Sequence, residues 1–523
     1  MHADISRVTF RPDRHYSAVL AQQGRVQLDA DANEQTAIQL AAARALAADL
    51  IGRHGGPLGA TGFALGFEGR GRELDDLTIG GGRYYVDGIP LDATRPAPGT
   101  AVPDEERASG GGGAPAAPAT AATPATWTYW DQPDGYLDPE RPGDRLPSVF
   151  PYLVWLKVWE RSVTAVEDPS LREVALGSAV SDTAARVKVV WQVLPLAGSE
   201  LAVADGASKD EIRAAFAEWA AGQAPTARMA ARSERPGTAD DDPCLVKPDA
   251  RFRGPENQLY RVEIHEGGTA EHATFTWSRE NGSVTFAVDG LDGVWVELAS
   301  PGGDEKLGLR VGDWVEFTDT AAISRGEPLP LLRVEEVDLP ENRVRLSAEP
   351  DASVGRRPER HPFLRRWDQR PAARRAGGAG ARHGALRIEE GRWLPLEDGV
   401  LIWFEPGATY RPGDFWTVAA RTATGDVEWP ADSARRPLLR SPFGVKVHYA
   451  PLAWVLGEGS VSDLRMTFGP LAGPIPAAAE RTGAVETGSA TAEPTEPTGA
   501  AEPVGAGPAE RAAEEISQEQ SDD

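Results

Sequence analysis

Long apolar runs are missing from this sequence. No stretch reaches the length that crosses a bilayer as a helix, so no membrane span is expected. Cysteine is nearly absent: the single Cys244 in 523 residues excludes an intrachain disulfide framework and a cysteine-rich zinc site. It lies in DDDPCLVKPD, where nothing nearby would lower its pKa and make it a nucleophile. Basic charge is also scarce, with 54 basic against 79 acidic side chains and a net −25. A general nucleic-acid binder needs a basic face to displace phosphate counterions, and that class is set aside. The start, MHADISRVTF, lacks the basic and apolar regions of a secretory signal, so synthesis in the cytoplasm is expected.

What is present divides unevenly along the chain. At ~150 residues per domain, the length predicts two to four domains. The expected divisions begin with a helical N-terminal docking arm at 1–62 and a β-rich domain at 63–197 carrying a disordered insertion at 95–126. A helix and linker follow at 198–254, then a β-module at 255–354 and an Arg-rich linker at 355–384. A second β-module at 385–470 and a disordered acidic tail at 471–523 complete the chain. From Glu480 onward there are 11 acidic and 2 basic residues and almost no large apolar side chain. Such a segment cannot offset the entropy of ordering. The arginines of 355–384, Arg356 through Arg382, lack an aromatic ladder, and pairing with acidic neighbours is the expected role.

The fold class expected is mainly β with a helical N-terminal arm (α+β), with small β-barrel or sandwich modules in the C-terminal half. YLVWLKVWERSV and ARVKVVWQVLPL are β-branched and aromatic runs of strand length that could pair with each other. In the first, Val154, Leu156 and Val158 alternate with Trp155, Lys157 and Trp159, which predicts one packed and one partly covered face. LTIGGGRYYVDGIPLD and LLRVEEVDLPENRVRLSAEP read as hairpins. In SKDEIRAAFAEWAAG, Ser208 and Glu211 fit a capping box, and Ile212, Phe216 and Trp219 share one face. Two segments look alike, DGVWVEL with LRVGDWVEF and DGVLIWFEP with YRPGDFWTV, and suggest a duplicated β-module.

Residues 15–52 carry the most specific signal. Tyr16, Val19, Leu20 and Gln23 have helical spacing that Gly24 would end. Asp31 with Glu34 predicts an N-cap, after which Ile38, Ala42, Ala45, Leu46 and Leu50 form an alanine-rich stripe closed by Gly52. Alanine buries little area, so this helix needs a partner surface. DADANE fails as a calcium loop, because its sixth and twelfth positions are Glu34 and Leu40.

The stretch RVTFRPDRHYSAVLAQQGRVQLDADANEQ resembles the opening of an uncharacterised bacterial family encoded beside phage-tail-like contractile injection system baseplate genes. ENQLYRVEIH, TFTWSRENGSV and LPLEDGVLIWFEPGATYRPGDFWTVAARTATGDVEWP are similar to later parts of the same family. The resemblance implies a structural protein without enzymatic activity, peripheral to the baseplate or attaching a fibre or spike. It implies docking through Tyr16, Val19, Leu20, Ile38, Ala42, Leu46 and Leu50 onto other particle proteins or further copies of the chain. The assembled particle would be released or membrane-docked.

No cofactor, metal or catalytic residue is expected. Glu263, His265, Glu266 and His272 come closest to a metal set, two histidines and a carboxylate around a short loop. No Gly-x-Ser-x-Gly elbow occurs, and the glycines between Gly52 and Gly62 lack the lysine of a phosphate loop. Glu335/Glu336 and Glu389/Glu390 are adjacent, and neighbours on a strand point to opposite faces. Trp277, Trp295, Trp314, Trp403 and Trp416 lie in strand patterns, where packing is the default. The alternative is a carbohydrate-binding or carbohydrate-cleaving surface protein using such aromatics and acids.

Overall fold

The computed structural model describes residues 2–68, 75–96, 126–176, 182–234, 252–300, 302, 306–369 and 381–471. Most of the expected insertion at 95–126, Cys244 and nearly all of the acidic tail lie outside the described residues. Contacts gather Met1–Pro470 into one unit. The class is mainly β with a helix in the N-terminal arm, as expected. None of the described helices is long and apolar enough to cross a membrane.

The two long apolar runs pair as predicted. Tyr152–Val163 runs antiparallel to Arg186–Ala197, from Tyr152 opposite Ala197 to Val163 opposite Arg186. Val447–Gly457 and Ser460–Asp463 extend this sheet on the other side of Tyr152–Val163. Its Val154, Leu156 and Val158 face pack on Leu77, Ile79, Tyr84 and Val86 of the small neighbouring sheets. The opposite face is covered more fully than the alternation suggests. Helix Lys209–Gly222 lays Ile212 and Phe216 over Leu153, Trp155 and Trp454. That helix has the predicted capping box, with the Glu211 amide donating to Ser208 Oγ at 3.3 Å and the Ser208 amide donating back to Glu211 Oε2 at 2.8 Å.

A second layered body packs a six-stranded sheet against a three-stranded one. The larger holds Gln258–Ile264, Thr274–Ser278 and Phe415–Arg421; the smaller holds Met229–Ser233, Trp393–Pro395 and Val400–Phe404. Val262, Phe275 and Trp416 meet Met229, Ile402 and Phe404 between them. Inserted in the chain between Thr274–Ser278 and the strands after Ala381 is a closed six-stranded barrel, Thr285–Asp292 to Phe363–Trp367. Its core is aliphatic, with Phe286 and Phe317 added. The LPEN hairpin is here, pairing Val334 with Leu346 and Val337 with Val344 across a bulge.

Strand pairing therefore cuts across the expected modules. Strands at 258–264 and 274–278 were placed in the 255–354 module, yet they share a sheet with 415–421. The two look-alike segments are also not two copies of one architecture. Trp295–Leu298 and Trp314–Thr318 both belong to the barrel, whereas Val400–Phe404 and Phe415–Arg421 belong to two different sheets. A Gly-Asp turn between strands is local chemistry and does not specify which strands pair. The Arg-rich stretch is not simply a linker either. Phe363–Trp367 closes the barrel, with Arg365 on Glu316 at 3.1 Å and Arg366 donating to the Lys306 and Gly308 carbonyls. Residues 370–380 of it lie outside the described residues.

Candidate partner-docking arm

The arm is tied down at its very start. The His2 amide donates to Ser162 Oγ at 2.8 Å, and His2 Nε2 lies 2.9 Å from Glu263 Oε2. The Ala3 carbonyl accepts from Asn281 Nδ2, the Ser6 carbonyl accepts from Arg421 Nη2, and Arg7 pairs with Glu428 at 3.0 Å. Burial, then the charges of Arg261 and Arg365, push the His2 imidazole well below its ordinary range. Burial opposes the Glu263 charge, but Arg261 and then His2 hold its carboxyl below the usual carboxylate range. This buried polar anchor carries no sequence signal, because each partner is more than a hundred residues away.

Beyond Thr9 the arm loosens. The helix predicted from Tyr16 to Gln23 is not there: residues 16–28 have no regular secondary structure after the short turn Pro12–Arg14. A segment of that length has too few intrahelical bonds to offset nucleation without a packed face, and Tyr16, Leu20 and Val26 are exposed. Val19, half-buried, is held through its amide by Gln35 Oε1 at 2.7 Å.

The helix itself runs Asp29–Ile51 and ends at Gly52, as predicted. Its start is three residues earlier than expected, and Leu28 at the N-cap supplies no capping side chain. Asp31 and Glu34 therefore form no capping box; Asp29 instead accepts from the Ser6 amide at 2.8 Å and hydroxyl at 2.7 Å. Arg44 fixes the helix to the long sheet, pairing with both oxygens of Glu160 at 2.9 and 2.6 Å. Gly88 admits this approach: a Cβ there would lie 2.1 Å from the Arg44 carbonyl oxygen.

The predicted stripe only partly faces the body. Ile38 is 6% exposed, whereas Leu46 is 62% and Leu50 is 56% exposed, and Ala42 is exposed too. Four-residue steps drift about 40° each around a helix of 3.6 residues per turn, so the stripe winds away from the side where Ile38 is buried. Half-buried Arg44, Ala48 and Ile51 lie on the inner side instead. Leu20, 84% exposed, and Val26 add to the uncovered apolar surface; Arg14 and Arg25, like Asp13, Asp31 and Asp49, are exposed in the same arm.

The other candidates are not brought together. Glu263 is engaged by Arg261 and His2, His265 is buried, and His272 is exposed. Glu266 faces His383 at 3.2 Å instead, a residue that spacing did not single out. No group of three metal-ligating side chains occurs among the described residues. Glu335 and Glu336 both pair with Arg345, and Glu390 accepts from the Tyr410 hydroxyl at 2.9 Å. All fifteen tryptophans are described, and none is exposed.

No curated protein and no solved structure matches this chain. One family model matches residues 1–102, 119–231 and 197–518. On that coverage the chain belongs to the family of unknown function DUF6519.

Proposed function

We propose that the protein is a non-enzymatic structural component of a phage-tail-like contractile injection particle, peripheral to the baseplate or at a fibre or spike attachment point. The arm is its docking surface. Sequence resemblance supports the setting, and one observation carries the role: Leu46 and Leu50 remain uncovered on a helix that the body already anchors through Arg44. Burying Leu20, Val26, Leu46 and Leu50 contributes roughly 6–12 kcal/mol, against an association cost of about 4–15 kcal/mol. The apolar surface alone therefore does not suffice.

Removing residues 1–52 is not a clean test, because His2, Ala3 and Ser6 also hold the β-body together. The Leu46→Glu/Leu50→Glu double variant is cleaner. Expected is an unchanged unfolding transition by circular dichroism together with loss of cosedimentation with contracted sheaths. Wild-type cosedimentation of the folded double variant overturns the proposal.

A further inference from the structure

A cleft of about 390 Å³ opens beside the second helix, bounded by its C-terminal turn, the loop Pro442–Val447, the Arg411–Asp414 turn and the edge carrying Arg53 and Asp87. Its volume falls in the range of small-molecule sites. On its floor the Asp414 side chain is fully buried. Oδ1 accepts from Arg411 Nη2 at 2.6 Å and Nε at 3.2 Å, while Oδ2 has no hydrogen-bond partner. A buried carboxylate oxygen without a donor is costly; Oδ2 is closed to solvent, so a ligand hydroxyl would satisfy it once a small shift of the floor side chains admits it.

The cleft is also electropositive in a chain that is strongly acidic. Arg53, Arg213, Arg411 and Lys446 line it against Asp87 and Asp414. Four of these charged groups, Asp414 among them, already have work within the fold. Arg213 bonds Asp210 and the Leu464 carbonyl, Arg411 bonds Asp414 and the Val445 carbonyl, and Asp87 faces His448 at 2.8 Å. Arg53 and Lys446 are exposed and make no ion pair among the described residues. Ala217, Ala220, Ala221, Pro225 and Tyr449 also line the cleft.

We propose that this cleft binds a small hydroxylated anion, a sugar acid or sugar phosphate, with its acid group on Arg53 and Lys446 and a hydroxyl donating to Asp414 Oδ2. A hydroxyl fits better than an ammonium, because Arg411 already brings a positive charge against this carboxylate. The alanine and proline wall accepts the carbon skeleton, and Tyr449 offers a ring edge or face to it. The inference does not depend on the docking arm.

Calorimetric titration of the full chain at low salt tests it, with glucuronate, glucose 6-phosphate, glucose and inorganic phosphate as probes. Expected is saturable binding of at least one acid below about 10 mM, at least tenfold tighter than glucose or inorganic phosphate. Glucuronate alone binding assigns a sugar acid, and glucose 6-phosphate alone assigns a sugar phosphate. The Arg53→Ala/Lys446→Ala variant, altered only at exposed positions, is expected to weaken binding by on the order of tenfold with its unfolding temperature unchanged. Asp414→Asn is expected to bring the acid down to the affinity of inorganic phosphate; if that variant does not fold, the surface pair carries the test. Absence of acid binding, equal binding of inorganic phosphate, or wild-type affinity in the surface variant overturns the proposal.

Discussion

The two long helices among the described residues obey opposite rules. Lys209–Gly222 has 14 residues, a reciprocal side-chain cap and two aromatics in a cluster with Trp155 and Trp454. Asp29–Ile51 has 23 residues, no capping side chain and only Ala30 and Ile38 buried. Helices draw most of their stability from a packed face rather than from propensity. The shorter helix thus belongs to the core of the long sheet. The longer one is held by a bidentate Arg44–Glu160 pair and the Ser6–Asp29 bonds, and keeps its leucines outward. One finishes the fold; the other leaves an apolar edge uncovered.

The largest expected difference between them lies in core deletion. Phe216→Ala should cost about 4 kcal/mol of unfolding free energy, since it leaves a cavity against Trp155 and Trp219. Leu46→Ala should cost under about 0.5 kcal/mol. Urea titration of both variants checks this, and comparable losses would show that the first helix is part of the core after all.

Acid should act on the region where the two helices come nearest each other in chemistry. His54 follows the first helix, and burial, aided by Arg213 of the second, pushes its imidazole down to about 4. A depressed histidine disfavours the charged form in the folded state. Its contribution is present in full above about 6.5 and is lost as pH falls from 6.5 toward 4. The loss is roughly 3 kcal/mol at most. His54→Gln should flatten the stability profile over that window relative to the native chain, measured by thermal unfolding at stepped pH.

Caps give the smallest contrast. Ser208→Ala should destabilise by about 1 kcal/mol, because Ser208 Oγ accepts the Glu211 amide. Asp31→Ala should be close to neutral, because Asp31 does not cap its helix. Amide hydrogen exchange at the two helix starts would separate them, and a larger effect at Asp31 would restore the cap assigned from sequence.

Legibility followed the range of the interaction. The Ser208 box, the close of the first helix at Gly52 and the LPEN hairpin were readable because each rests on residues a few positions apart. The Tyr16–Gln23 helix misled because spacing was right but no packed face stood behind it. Of the residues read from sequence as docking candidates, Leu46, Leu50 and Leu20 are exposed, while Ile38 is buried against the body. The Asp414 cleft was not legible, since its walls come from five separate stretches of chain.

By itself the amino-acid order determined the alternating faces of YLVWLKVWERSV, the apolar face of Lys209–Gly222 and the Asp87-Gly88 turn, whose positive φ angles suit that pair. Tertiary structure alone decided that Gly56 lies beside Thr467, that the barrel interrupts the sandwich, and that Arg365 and Arg366 sit inside rather than on a linker. Backbone hydrogen bonding is the same for every strand, so partner choice rests on which complete set of apolar faces can be covered at once. No short window of sequence contains that information.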